Sequence, residues 1–191
     1  MKKSLIHTEI LELSRALARL AEEAPAVLAP LADICINALR NGGKILFCGN
    51  GGSAADAQHL AAELIGRYKL NRQAIAALAL TTDTSILTAL GNDYGYDTIF
   101  ARQVEGLGRR GDVLIGLSTS GNSRNVLNAI EKASQMGLVT VAFTGEDGGE
   151  MARVADHALR VPSRITNHIQ EMHITCGHLL CELIERELFP A

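Results

Sequence analysis

His59 and Glu63 lie four positions apart in KILFCGNGGSAADAQHLAAELIGRY, residues 44–68. On an α-helix that spacing sets an imidazole and a carboxylate about 40° apart around the axis and about 6 Å apart along it. Both can then meet one metal ion or one substrate, although the same pair can also be a solvated contact on an exposed face. Just upstream, Gly49-Asn50-Gly51-Gly52 divides an apolar run from a helix opening at Ser53. Glycines permit positive φ and close approach of a ligand to the backbone. A helix start offers unpaired N–H groups and the positive dipole end to an anion. Ser53 with Asp56 also reads as a capping box, which needs no ligand. A second polar cluster, Ser118, Thr119, Ser120 and Ser123 around Gly121, separates another apolar run from another helix. Hydroxyls and backbone N–H groups in that setting can surround a phosphate, where a bare polar turn would not need the flanking strand and helix.

The elements that must position these residues follow from periodicity. Residues 6–23 read as an amphipathic helix, broken by Pro25, and a second helix runs from Ala26 or Val27 (or from Pro30) to Arg40. Strands are expected at 44–48, 74–82, 112–117, 138–144 and 157–161. Helices are expected from 53, over 84–90, 97–107, from 124 to near 137, over 150–155 and over 167–188, with residues 91–95 as a turn. The last helix carries Gln170, His173, His178 and Glu182 among apolar neighbours. This alternation predicts an α/β fold, a doubly wound five-stranded parallel sheet with two N-terminal helices and a long C-terminal helix. Residues 1–191 are expected to form one domain, with residues 1–41 serving oligomerisation. Ligands of such sheets bind outside the carboxyl ends of the strands, which puts both polar loops on one edge.

Composition narrows the classes. A hydrophobic fraction of 47% against 20% charged residues supports a sizeable core. A net charge of -3 argues against a nucleic-acid-coating protein, and 4% aromatic residues with no Trp leave few platforms for stacking bases. The four cysteines, Cys35, Cys48, Cys176 and Cys181, form no C-x-x-C and sit in apolar surroundings, so they are expected to be reduced core residues. His7, Glu9 and Glu12 interrupt what a signal peptide would need as an apolar run, and no stretch reaches membrane-span length. A cytoplasmic protein without membrane or nucleic-acid partners is expected.

Six motifs in order, CGNGGSAADAQHLAAEL (48–64), GRY (66–68), GND (91–93), GDVLIGLSTSGNS (111–123), FTGEDGG (143–149) and IQEMH (169–173), resemble the sugar isomerase (SIS) family, whose fold is flavodoxin-like. Within it they are most similar to the branch that isomerises phosphorylated heptoses. The resemblance implies conversion of sedoheptulose 7-phosphate to D-glycero-D-manno-heptose 7-phosphate, the first step of ADP-heptose synthesis for lipopolysaccharide core or another surface glycan. It implies substrate contacts at Asn50, Gly51, Gly52, Ser53, Glu63, Arg67, Asn92, Asp93, Ser118, Thr119, Ser120, Ser123 and Gln170. It implies one zinc ion per subunit held by His59, Glu63, Gln170 and His178, acid–base roles for Glu63 and His178, and a homotetramer. A non-catalytic sister group that binds the replication initiator lacks the Glu and His found here as Glu63 and His178. That group is the alternative, because the ELFPA ending looks like it. A phosphosugar-sensing regulator is disfavoured because no DNA-binding segment is attached. Relatives commonly place Arg before I-Q-E, where this chain has Asn167-His168.

The metal set raises a geometric problem. Gln170 and His178 are eight positions apart, which on a straight helix is about 12 Å of rise. Zinc–ligand bonds are only about 2 Å long, so one ion cannot easily take both from one helix. Either the helix starts after Gln170, or a neighbouring subunit contributes a ligand. The second choice predicts that His178 serves a neighbour's pocket.

Overall fold

A computed structural model describes residues 1–190 of the chain. Two helices come first, α1 (Lys2–Glu23) and α2 (Pro25–Arg40), followed by β1 (Ile45–Gly49), α3 (Gly52–Ile65) and β2 (Ala77–Ala79). Next come α4 (Thr84–Tyr94), a 3₁₀ turn (Tyr96–Thr98), α5 (Ile99–Leu107), β3 (Val113–Leu117) and α6 (Arg124–Gln135). The chain ends with β4 (Val139–Thr144), α7 (Met151–Val154), β5 (His157–Arg160) and α8 (Thr166–Leu188). The predicted sheet is present: five strands, all parallel, in the order β2-β1-β3-β4-β5. From β1 the chain first steps outward to β2 and then crosses to β3 on β1's other side. That reversal opens the crevice where the sheet's ligands bind. Gly49 pairs with Leu117 at the end of the β1–β3 ladder, so the glycine loop and the hydroxyl loop leave the sheet side by side.

Alternate strand residues feed two cores, as a sheet covered on both faces requires. Ile45, Phe47, Val113 and Ile115 pack with α2, α3 and α8, while Leu46, Cys48 and Leu114 pack with α5 and α6. All four cysteines are free and buried, and burial pushes each thiol up to about 12. At the strands' opposite edge, Asp112 accepts from Lys44 Nζ at 2.6 Å and from the Lys44 and Arg109 N–H groups, locking the entry to β1 and β3.

Three elements differ from expectation. Pro25 does not separate the first helices by a loop: Ala24 is itself helical, and Pro25 opens α2 where a missing N–H costs nothing. The 74–82 strand contracts to Ala77–Ala79, because at the sheet edge only those residues find ladder partners on β1. Residues 91–94 continue α4 instead of turning; Asp83 caps its start by accepting from Ile86 N at 2.9 Å, and Gly95, at φ 85°, ends it.

Candidate active site

The β1–α3 turn is a backbone device. Gly51 has φ 55°, and Gly49 admits no side chain, since a Cβ there would lie 2.8 Å from the Ser53 carbonyl oxygen. Ser53, expected as a capping residue, does not cap α3, whose N-cap is Gly51; its side chain, also expected among the substrate contacts, is buried behind this turn. Asn50 is held by a reciprocal amide pair with Asn125, each Nδ2 donating to the other's Oδ1 at 2.8 Å, and accepts from Tyr96 Oη at 3.0 Å. The glycine loop is thereby tied to the first turn of α6, beside the hydroxyl loop. Neither Asn125 nor Tyr96 was singled out in the sequence. Their partners are 75 and 46 positions away, so no local pattern marks them.

In the hydroxyl loop, Ser118 Oγ lies 2.8 Å from Ser123 Oγ and 3.4 Å from Ser120 Oγ, and Asn122 N–H donates to Ser120 Oγ at 3.2 Å. Thr119 is half-buried, and its carbonyl accepts from Gly145 N–H at 3.2 Å. Gly121 makes the curve at φ 66°; a Cβ there would fall 2.1 Å from the Gly148 carbonyl oxygen. The Phe143–Gly149 motif thus seats the loop from behind. The cluster holds converging hydroxyls at the start of α6, an arrangement suited to an anion; the hollow beside Thr119 and Ser120 is also lined by Arg164 with its ion-pair partners Glu146 and Asp147.

Helices α3 and α8 cross the same face of the sheet in parallel, matched level by level. The Gln170 amide lies over Gly52, where a Cβ would fall 2.7 Å from Nε2. Further along, Gly177 admits the Leu60 side chain, which would meet a Cβ at 2.5 Å. At that level His178 Nε2 approaches His59 Nε2 to 2.9 Å, and Glu63 Oε1 lies 3.1 Å from the same His59 nitrogen. The ligand atoms of His59, Glu63 and His178 all fall within 4.8 Å of one another. Two imidazoles and a carboxylate form the donor set of an open zinc site, in which tetrahedral bonds would hold two nitrogens about 3.3 Å apart. The group fits a metal ion on chemistry and spacing. Tyr68 lies over His178, ring centroids 5.6 Å apart and planes 18° apart. Burial pushes the His178 pKa below its ordinary value, and His59 adds to that effect while Glu63 opposes it. One turn before His59, burial pushes the Asp56 carboxyl up to about 6, against the pull of His59.

The geometric problem resolves differently from the expectation. Helix α8 starts at Thr166, before Gln170, so a late start does not free that residue. His178 joins His59 and Glu63 of its own chain, which corrects the prediction that it serves a neighbour. Gln170 stays at the glycine-loop level, about 12 Å of helix rise from His178, and the chain by itself does not bring all four expected ligands together. Of the remaining candidates, Arg67 is exposed on the loop after α3 and has no ion-pair partner among the described residues. Asn92 and Asp93 are exposed at the end of α4, with Asn92 donating to Asp93 at 2.8 Å. His168, in place of the usual Arg, is buried and lies 3.6 Å from Glu9 of α1.

The SIS domain signature matches residues 10–145. A phosphoheptose isomerase of Akkermansia muciniphila is 67% identical over 159 residues, 83% of this chain and 84% of that protein. One of Helicobacter pylori (strain P12) is 55% identical over 186 residues, 97% of each chain. The chain belongs to the SIS domain family, among its phosphoheptose isomerases. The solved structure of phosphoheptose isomerase GmhA from Neisseria gonorrhoeae superposes with a TM-score of 0.92 at 45% identity, covering 97% of this chain and 99% of that one. The parallel five-stranded fold is therefore the family's. The initiator-binding alternative finds no support in these relatives.

Proposed function

We propose that the chain interconverts sedoheptulose 7-phosphate and D-glycero-D-manno-heptose 7-phosphate through an enediolate. The observation that carries the reading is the meeting of the ligand atoms of His59, Glu63 and His178 within 4.8 Å of one another, about two turns along α3 from the glycine loop that lies beside the hydroxyl cradle. Ketose–aldose exchange moves a proton between C1 and C2. It needs a base at carbon, a group to move the hydroxyl proton, and stabilisation of the oxyanion. Glu63 takes the carbon-bound proton. His178, whose pKa is lowered by burial and by His59, exchanges protons with the adjacent oxygens. Ser118, Thr119, Ser120 and Ser123 hold the phosphate. Asn50, Gly51, Gly52 and Gln170 line the stretch between, with Arg67, Asn92 and Asp93 assigned to the rim.

His59, Glu63 and His178 are the residues that would hold zinc. When bound, a zinc ion there supplies Lewis-acid polarisation of the substrate carbonyl. Ligation by Gln170 as well calls for a second copy of the chain, since within one chain it stands two turns away. Exposed Leu5, Ile6, Ile10 and Leu11 on α1 support an oligomer built on the N-terminal helices. So does an apolar groove of about 600 Å³ lined by Ala21, Leu28, Leu179 and Leu183. We assign the family's homotetramer, a cytoplasmic location and the ADP-heptose route on the same reading.

The test is turnover of sedoheptulose 7-phosphate, with the aldose product measured in a coupled assay without nucleotide. Activity should fall on treatment with a chelator and return with added zinc. No turnover of this sugar by the metal-loaded protein would sink the substrate assignment; full activity after verified metal removal would sink the metal assignment alone.

A further inference from the structure

Seven residues after His178, on the same face of α8, Glu185 is buried and makes four hydrogen bonds. It accepts from the N–H groups of Tyr68, Lys69 and Leu70 at 3.2, 2.8 and 3.0 Å, and from Arg72 Nε at 2.9 Å. The Arg72 side chain is equally buried, 2% exposed against 1% for Glu185. Its remaining fork points back at the end of α3. Nη2 donates to the Glu63 carbonyl at 2.9 Å, and Nη1 to those of Leu64, Gly66 and Gln73 at 2.7, 3.1 and 2.9 Å. A helix end leaves carbonyls without intrahelical partners. Gly66 at the end of α3 has φ -79°, outside the left-handed region of the usual glycine cap. Arg72 supplies the missing donors.

One ion pair therefore touches three parts of the site: the last turn of the helix carrying His59 and Glu63, the helix carrying His178, and the loop that lays Tyr68 on His178. The planar fork of Arg gives this bracing a direction that an ammonium could not. We propose that Arg72 and Glu185 are positioning residues, which set the register of α3 against α8 and so bring His59 and Glu63 within ligand distance of His178. The proposal rests on the reading of that cluster as the metal and proton-transfer centre. It adds that the cluster's geometry is set from behind by a pair that touches neither substrate nor metal.

The test uses Arg72→Lys and Glu185→Gln, which preserve size and, for Arg72, charge. Zinc alone is the first probe, its affinity measured by competition with a chromophoric chelator. Both variants should bind zinc about 10- to 100-fold more weakly than wild type, as loss of groups supporting metal ligands commonly does. In turnover, kcat should fall while KM changes less than about 2-fold, because the hydroxyl cradle is untouched. Asp112→Asn removes the buried carboxylate of the half-buried Lys44–Asp112 pair at the opposite edge of the sheet, so it should cost stability and leave zinc affinity unchanged. Gly177→Ala approaches the α3–α8 spacing from the packing side and should also weaken zinc. It keeps the question open to measurement if the ion-pair variants do not fold. Folded Arg72→Lys and Glu185→Gln proteins with wild-type zinc affinity and kcat would overturn the proposal, as would an equal zinc loss in Asp112→Asn. A wild type that isomerises but binds no zinc would remove the metal reading, and kcat against KM would then decide the pair's role. A wild type with neither property would overturn both.

Discussion

At the end of the site assigned to phosphate, the groups are neighbours in the chain, Ser118 to Ser123. At the end assigned to metal, His59 and His178 are separated by 119 positions. The hydroxyl cradle is made by one loop whose curvature depends on Gly121 fitting against Gly148, and its side chains are neutral. The His59–Glu63–His178 cluster is made by two helices packed at Gly177 and braced by Arg72 and Glu185. Its side chains are two imidazoles and a carboxylate within hydrogen-bond distance of one another. A loop can shape an anion site from local backbone geometry, because phosphate asks only for donors pointing inward. A proton-transfer and metal site needs distances held to a few tenths of an ångström, and rigid helices supply that better than loops do.

The sharpest break between the two ends should come from Glu63→Gln. The amide keeps the shape and loses the base, so kcat should drop by about 100-fold or more while KM for the phosphosugar stays close to wild type. Near-normal turnover would remove Glu63 from the chemistry. A smaller effect of the opposite kind is expected from Ser120→Ala. On the phosphate assignment its hydroxyl meets a part of the substrate remote from the reacting carbons, so KM should rise by about 5- to 10-fold, with a lesser fall in kcat. If kcat fell and KM did not move, Ser120 would belong with the reacting groups, and the division into two ends would be wrong.

The mildest test is pH. As pH falls, protons compete with the metal for His178. The depressed pKa of His178 should hold the metal to lower pH than a histidine at its ordinary 6.5 would. Zinc affinity should thus decline toward acid, with the loss displaced below the usual histidine range. The hydroxyl loop has no group that titrates there. Protection of the protein by sulfate, followed by thermal unfolding, should stay flat over the same pH interval. A sulfate effect that tracked zinc loss would mean that the two ends are one electrostatic unit.

Much of this protein was legible in its residues. The strand–turn–helix units at Gly49–Gly52 and Ser118–Ser123 announce themselves because turn chemistry and helix starts are local. The i, i+4 spacing of His59 and Glu63 fixes their shared face by helix geometry alone. Apolar runs bounded by glycine and asparagine were enough for five parallel strands, though edge pairing trimmed the second to Ala77–Ala79. What the tertiary structure decided is which distant residues arrive. His178 reaches its own chain's His59 because α3 and α8 run parallel and Gly177 lets them close in. Gln170, on the same helix, is left at the Gly52 level. Arg72 and Glu185 carry no motif that sets them apart from surface charges. Only the packed structure shows them buried together, since burial of an ion pair depends on every element that covers it and not on the sequence around either partner.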